Sequence, residues 1–251
     1  IYFDFLKKYA AFAMYQVKKS THGNLAEFDQ DLYEDEKHDR QMHLEFYQLI
    51  EKEQLTYHFQ PILSAKDGEI IAYEALMRSQ LATLKNPEMI LKIAREENKL
   101  EDVERICIFK STETFDQLRK NKLVKEDALL FINSIASVSL NDEDRERFHR
   151  YFSHIQSQIV VEVTEEENMS EEALIRKRET EGFSGMFALD DYGSGYNTEI
   201  NLLNLSPKYI KIDLTIVRNI DKDFDKQQLV SNIVEYAHQR EGYIIAEGIE
   251  T

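Results

Sequence analysis

The chain has 251 residues, the length of one large domain or of one domain with an additional fragment. Its 31 Lys and Arg residues against 47 Asp and Glu residues give a formal net charge of −16, which argues against binding to a nucleic-acid polymer, because such binding depends on excess positive charge. No apolar run approaches the about 20 residues that span a bilayer, and the single cysteine, Cys107, excludes an internal disulfide and fits a reducing cytoplasm.

The first 53 residues predict two helices. Apolar residues recur at helical spacing over 4–19, which indicates an amphipathic helix. Residues 28–53 are densely charged and carry only sparse apolar positions, so we expect a solvent-exposed connecting helix. No linker rich in Pro or Gly separates this segment from the rest, which predicts a stiff connection.

From Tyr57 onward, short apolar runs alternate with helical patterns, which predicts parallel strands in an α/β fold. The runs predicted to be strands are 57–63, 69–76, 128–134, 159–164, 185–190, 208–213 and 243–247. Helices are predicted over 87–97, 101–120, 142–157, 170–181 and 222–240. The dipeptide Asp67-Gly68 is a hairpin signal, so we expect the first two strands to be antiparallel.

Polar side chains occur at or near the ends of six of these runs. They are Glu74, Asn133, Glu162, the pair Asp190 and Asp191, Lys211 and Glu247. Because side chains alternate between the faces of a strand, each points either into a core or into a site, and an unpaired carboxylate is too costly for a core. The ends of parallel barrel strands meet at one face, where the active sites of such barrels lie.

Five carboxylates would converge at that face, and Lys211 alone cannot balance them, whereas divalent cations with oxygen ligands can. In a regular strand Asp190 and Asp191 face opposite ways, but both can turn toward one site if the strand ends between them. One carboxylate shared by two ions about 4 Å apart is typical of two-metal phosphoester chemistry. Each residue alone is more often a helix cap or an ion-pair partner; their coincidence at six strand ends favours a site.

These residues carry a resemblance to a known family. The run YHFQPILSAKDGEIIAYEALMR, which contains Glu74-Ala75-Leu76, is similar to the signature of EAL domains, the cyclic di-GMP phosphodiesterases of bacteria. The similarity continues in the expected order through FINSIAS, VEVTE, DDYGSGYN, YIKID and AEGIE, over about residues 40–251. As a set these motifs are specific, although the three letters Glu-Ala-Leu alone are not.

The resemblance implies a modified (β/α)8 TIM barrel that cleaves cyclic di-GMP to linear pGpG and often forms a homodimer. It implies that Glu74, Asn133, Glu162 and Asp190 bind a first Mg²⁺ or Mn²⁺ ion, and that Asp190, Asp191 and Glu247 serve a second. Lys211 would help to hold and deprotonate the attacking water. Gln60 and Arg78 match substrate-contacting positions, with Arg78 on a phosphate, and Glu165 and Glu250 match positions that support the loop and the site.

The resemblance also suggests a domain organisation. Residues 1–27 are similar to the last helix and tail of a GGDEF domain, 28–53 would be the connecting helix, and 54–251 the EAL barrel. We expect a cytoplasmic protein with further GGDEF and sensory regions upstream, through which the full protein can be membrane-anchored. Seven strand patterns stand where a closed barrel has eight, and the family's last strand is not found, so we expect the natural protein to continue beyond Thr251.

The sequence is therefore interpreted as a metal-dependent phosphodiesterase. The first alternative is a receptor that binds cyclic di-GMP without cleaving it. Degenerate EAL receptors typically lose metal ligands or the lysine, whereas this chain keeps them, which favours the enzyme. A second alternative, a structural module whose barrel serves only for dimerisation, leaves the five converging carboxylates without an explanation.

Overall fold

The computed structural model describes residues 2–19, 28–164, 177, 186–194 and 198–249. Its helices are α1 (Tyr2–Lys19), α2 (Gln30–Lys52), α3 (Pro87–Glu96), α4 (Leu100–Lys120), α5 (Asp142–Phe152), α6 (Thr198–Leu205), α7 (Leu214–Val217) and α8 (Phe224–Gln239). Its strands are β1 (Leu55–Leu63), β2 (Ile70–Ser79), β3 (Leu129–Asn133), β4 (Ile159–Thr164), β5 (Phe187–Tyr192), β6 (Tyr209–Ile212) and β7 (Tyr243–Ala246). All seven predicted strands are confirmed close to their predicted bounds.

The strands form one sheet in the order of the chain, β1 to β7. β1 and β2 are antiparallel, as the turn residues predict, and every later pair is parallel. At the hairpin Gly68 has a φ of 73°, a conformation that glycine adopts without steric cost, and Asp67 accepts a hydrogen bond from the Glu69 amide. The curled, mostly parallel sheet with its helices is an incomplete TIM-barrel-like α/β fold, as expected.

The two faces of the sheet have different partners. On the outer face, strand residues such as Leu130 and Ile132 pack with helix residues such as Phe46, Ile93 and Ile106 in one large apolar cluster. A second cluster on the same side joins the later strands with α6 and α8. On the inner face lies a small apolar layer whose buried residues all come from strands, namely Ala72, Phe131, Val160, Ala188 and Tyr209. This layer is the floor beneath the polar residues predicted to form the site.

The connecting helix is less exposed than its composition predicts. Asp29 caps the N-terminus of α2 by accepting a hydrogen bond from the Leu32 amide, and the first half of the helix is mostly exposed. Its second half buries Phe46 and Leu49 completely against the sheet core. Met42 and Ile50 pack against the same cluster, so a narrow apolar stripe docks this half of α2, which contacts α3 and α4.

Two helical predictions need correction or lie outside the described residues, and two short helices are absent from the prediction. The helix predicted over 142–157 ends at Phe152, because Ile155 turns into the core and a short 3₁₀ turn, Gln156–Gln158, leads directly into β4. α6 and α7 were not predicted at all. The helix predicted over 170–181 lies outside the described residues except for Lys177. Among the helices that the structure describes, none combines the length and apolarity needed to cross a membrane.

Candidate active site

The polar residues predicted at the strand ends lie on the inner face of the sheet. Each of them follows a residue of the apolar floor by two positions, as Glu74 follows Ala72 and Glu162 follows Val160, and all but Glu247 lie in the same strand as that residue. The remaining members are Asn133, Asp190, Lys211 and Glu247, which follow Phe131, Ala188, Tyr209 and Ile245. The two-residue period of a strand therefore places all six above one floor. The prediction that these side chains converge is confirmed in its geometry.

Lys211 lies at the centre of this layer. Its ammonium is 2.8 Å from Glu162 Oε1, 2.9 Å from Asp190 Oδ1, 2.9 Å from Glu247 Oε1 and 3.3 Å from Glu74 Oε2. The lysine side chain is 2% exposed and that of Glu162 is not exposed at all. One cation thus holds together four carboxylates that come from four different strands or strand ends.

This buried layer has more carboxylates than cations, which disfavours the ionised form of the carboxyl groups. Burial raises the pKa of Glu162 well above its ordinary value, an effect that Glu74 and Asp190 increase and Lys211 opposes. Burial, with Asp190 and Glu247, raises the pKa of Asp191 to about 6. For Lys211, burial alone would lower the pKa, but the surrounding carboxylates outweigh it and hold the pKa well above the usual range. The site therefore attracts additional positive charge.

Asp190 and Asp191 reach the same site by a bulge and not by the end of the strand. β5 continues through both residues to Tyr192, so the expectation that the strand ends between them is wrong. Instead, the register with β6 shifts between Leu189 and Tyr192, and Asp191 has a φ of 55°. This left-handed conformation, which Asp tolerates better than most residues, turns the second carboxylate back toward the first.

The carboxylates form two groups that could each hold a metal ion. Glu74, Glu162 and Asp190 form one, and Asp190, Asp191 and Glu247 form the other, with the ligand atoms of each group within 4.8 Å of one another. Asp190 belongs to both, as expected for a carboxylate shared by two ions. The donors fit hard divalent cations, because Oε2 of Glu162 is buried without a hydrogen-bond partner among the described residues.

The other predicted site residues are placed less centrally. Asn133 is exposed and donates a hydrogen bond from Nδ2 to Glu74 Oε1 at 3.3 Å. Gln60 lies directly opposite Glu74 in the β1–β2 ladder. Arg78 is four residues beyond Glu74 on the same face of β2. Its guanidinium donates a hydrogen bond to the Met77 carbonyl at 2.8 Å. Glu165 and Glu250 lie outside the described residues.

Comparison with known proteins decides the family. The family model of the EAL domain matches residues 43–251. The chain belongs to the EAL domain family.

Similar proteins carry this domain in longer chains. MucR of Pseudomonas aeruginosa, a bifunctional diguanylate cyclase/cyclic di-GMP phosphodiesterase, is 27% identical over 252 residues, which is 95% of this chain and 36% of MucR. This EAL chain thus spans about a third of the length of that relative. The solved PaMucR phosphodiesterase in complex with c-di-GMP is 26% identical, with a TM-score of 0.67 over 84% of this chain and 87% of that one.

A manganese/cyclic di-GMP complex of Klebsiella pneumoniae BlrP1 is similar in fold, with a TM-score of 0.65, 24% identity, and coverage of 79% of this chain and 50% of that one.

Sequence reasoning missed one charged pair beside the candidate site. Glu104 in α4 and Lys177 are both fully buried and in contact, next to the segment that follows Asn133. Glu104 stands three to four residues from Leu100, Cys107 and Ile108, so helical spacing places it on the buried face of α4. A carboxylate on an apolar helix face is the signal that could have identified it.

Proposed function

We propose that this EAL domain hydrolyses cyclic di-GMP to linear pGpG in bacterial second-messenger signalling. The observation that carries the proposal is the pair of carboxylate groups that share Asp190 above the apolar floor, with Lys211 between them. Membership of the EAL family and the similarity to a curated cyclic di-GMP phosphodiesterase support it. In the reaction, water adds to one phosphorus, the P–O3′ bond breaks, and the 3′ oxygen leaves with a proton.

Two divalent ions, Mg²⁺ or Mn²⁺, are proposed as cofactors. Glu74, Asn133, Glu162 and Asp190 would hold the first ion, and Asp190, Asp191 and Glu247 the second. When bound, such ions neutralise phosphate charge and lower the pKa of coordinated water. The oxygen-rich donor set supports this choice over softer metals, and the manganese complex of the similarly folded BlrP1 agrees with it.

Lys211 is proposed to hold the attacking water and to take up its proton. In the metal-free protein its raised pKa keeps it an ammonium, held there by the carboxylates around it. Those carboxylates are the same groups that are proposed to ligate the ions. With those carboxylates engaged by the ions, burial and the positive charge of the ions would both lower the pKa of Lys211, the direction that a proton acceptor requires.

Gln60 and Arg78 are proposed to bind the nucleotide. Arg78 stands on the inner face of β2 beyond Glu74, toward the open end of the sheet, where a guanidinium can pair with a phosphate. Its guanidinium at present donates to the carbonyl of the preceding residue, Met77, and can exchange that bond for one to the substrate. Glu165 and Glu250 remain proposed loop-supporting residues.

A homodimer and an upstream GGDEF segment, of which residues 1–27 are the end, are proposed from the family resemblance.

Product analysis tests this function. The protein is incubated with cyclic di-GMP and Mn²⁺, and the nucleotides are separated by chromatography, with a parallel sample in excess chelator. Formation of pGpG that the chelator abolishes supports the proposal. Binding of cyclic di-GMP with no pGpG formed would instead indicate a non-catalytic receptor, and neither binding nor cleavage would contradict both functions.

A further inference from the structure

Outside the carboxylate layer, the most completely buried charges among the described residues are Glu104 and Lys177. The Lys177 ammonium is 2.8 Å from Glu104 Oε1, and the side chains are 0% and 1% exposed, respectively. Glu104 belongs to α4, whereas Lys177 belongs to the chain between β4 and β5. A charged pair at this depth is unusual, because removing both charges from water is costly.

Both members of the pair form hydrogen bonds with the segment that follows Asn133. Glu104 accepts hydrogen bonds from the Ser134 hydroxyl and, at 2.9 Å, from the Ile135 amide. Lys177 donates to the Ile135 carbonyl at 2.7 Å and to the Val138 carbonyl at 2.6 Å. The backbone of residues 134–138 is thereby fixed at both its amide and its carbonyl groups. Asn133 is the residue immediately before this segment.

Stability alone does not account for the pair. Buried ion pairs are often replaced by apolar residues of similar volume with no loss of stability, or with a gain. Apolar residues are common on the buried side of α4, where Val103, Ile106 and Cys107 are also buried. An apolar pair could not form the hydrogen bonds that fix the backbone of residues 134–138. Those bonds therefore also fix the position of Asn133, which precedes this segment.

We propose that Glu104 and Lys177 are positioning residues for the first metal site. They act through the 134–138 segment. By fixing this segment they hold the side-chain amide of Asn133 where it can ligate the ion near Glu74 and Glu162. The inference rests on the proposed function, because it needs Asn133 to be a metal ligand. The second site, at Asp191 and Glu247, is served by other strands and does not depend on the pair.

Mn²⁺ titration of the protein without nucleotide tests this inference, by calorimetry together with electron paramagnetic resonance of the free ion. The double replacement Glu104→Leu with Lys177→Met removes both charges and keeps the volume. We expect it to fold with a thermal stability below that of the parent, because the Ile135 amide and the Ile135 and Val138 carbonyls lose their partners. One of the two ions should bind about 10- to 100-fold more weakly, as is usual when a partner behind a metal ligand is lost.

The decisive comparison is with Asn133→Ala. If the pair acts through Asn133, this variant weakens the same ion, and adding the double replacement to it weakens binding no further. Additive losses would assign the pair to general structure and overturn the inference. Asp116→Asn is the matched control, since Asp116 is another buried acid of α4, paired with Lys120 at 2.6 Å, about 18 Å along the helix axis. It should leave both ions unchanged.

A milder variant keeps the test valid if the double replacement does not fold. Ser134→Ala removes one donor to Glu104 and should weaken the same ion to a smaller degree; parent-like binding of both ions by folded Ser134→Ala would then overturn the inference. Parent-like binding by the folded double variant overturns the inference alone and leaves the proposed function standing. A parent protein that binds no Mn²⁺ would overturn the proposed function, and this inference with it.

Discussion

Asp190 and Asp191 are neighbours in β5, yet their carboxylates lie within 4.8 Å of each other and of Glu247 at one site. In a regular strand they would face opposite sides of the sheet. The left-handed backbone at Asp191, with a φ of 55°, brings the second side chain to the side of the first. Asp190 is thus able to serve both carboxylate groups while Asp191 serves one, and substitutions at the two positions should differ.

Asp191→Asn should reduce the number of bound Mn²⁺ ions from two to one. Asn adopts the left-handed conformation readily, so the bulge should persist while the charge is lost. Asp190→Asn, by contrast, should weaken both ions, because Asp190 belongs to both groups. Metal analysis after dialysis against a defined Mn²⁺ concentration counts the ions. Equal stoichiometry in the two variants would contradict the shared role of Asp190.

Glu74→Ala should abolish hydrolysis of cyclic di-GMP and leave the fold intact. Glu74 stands at the edge of the carboxylate layer with its side chain 15% exposed, and Lys211 keeps three other carboxylates when it is removed. Circular dichroism checks the fold, and pGpG formation measures activity. Glu69→Ala, on the same hairpin but outside the site, is the control. Turnover within about tenfold of the parent would count against Glu74 as a ligand, since tenfold is only about 1.4 kcal/mol of barrier.

Lys211→Met should lower kcat by about 100-fold or more while substrate affinity changes little, because the lysine is proposed to act on water and not on the nucleotide. The metal-free variant should also be less stable, by about 3–5 kcal/mol, since the buried carboxylates lose their counter-charge. Added Mn²⁺ should restore much of that loss. Single-turnover rates, nucleotide titration and thermal melts with and without metal separate these effects. A comparable loss of affinity and rate would reassign Lys211 to substrate binding.

Mg²⁺ and Mn²⁺ should support hydrolysis, whereas Ca²⁺ should bind and inhibit. Ca²⁺ takes 6–8 ligands at about 2.3–2.6 Å, whereas Mg²⁺ requires near-octahedral geometry at about 2.0–2.1 Å. Two groups that share Asp190 leave little freedom for the longer bonds. Initial rates with each cation, and with Ca²⁺ titrated into the Mn²⁺-loaded protein, provide the measurement. Equal rates in Ca²⁺ and Mg²⁺ would remove the argument for closely spaced ions.

Gly248→Ala should destabilise the protein and reduce activity more than Gly68→Ala does. The two glycines have similar φ angles, 63° and 73°, so the backbone strain of about 1–2 kcal/mol is the same in both. A Cβ at Gly248 would lie 2.3 Å from Leu214 Cδ1, whereas at Gly68 nothing is within 4 Å. Because Gly248 follows Glu247, the clash should also displace that carboxylate. Thermal melts and Mn²⁺ titration of both variants test this, and identical effects would contradict it.

Strand identity could be read from the chain because the pattern is local. Six of the seven apolar runs carry a polar residue two positions after a floor residue, as in Tyr209 and Lys211, and a period of two is a property of the strand itself. The hairpin at Gly68 was equally local. Most helix bounds also agree with their predictions, but the end of α5 does not, because Phe152 and Ile155 stop this helix through contacts with the core that no local pattern contains.

The sequence by itself determined which side chains share the inner face of the sheet, since alternation along a strand needs no knowledge of its neighbours. Only the tertiary structure decided how they meet. The bulge that turns Asp191 toward Asp190 depends on the register between β5 and β6. The contact of Glu104 with Lys177 joins residues 73 positions apart. Such arrangements follow from the packing of strands and helices on one another, and that packing is a property of the whole chain and not of any segment.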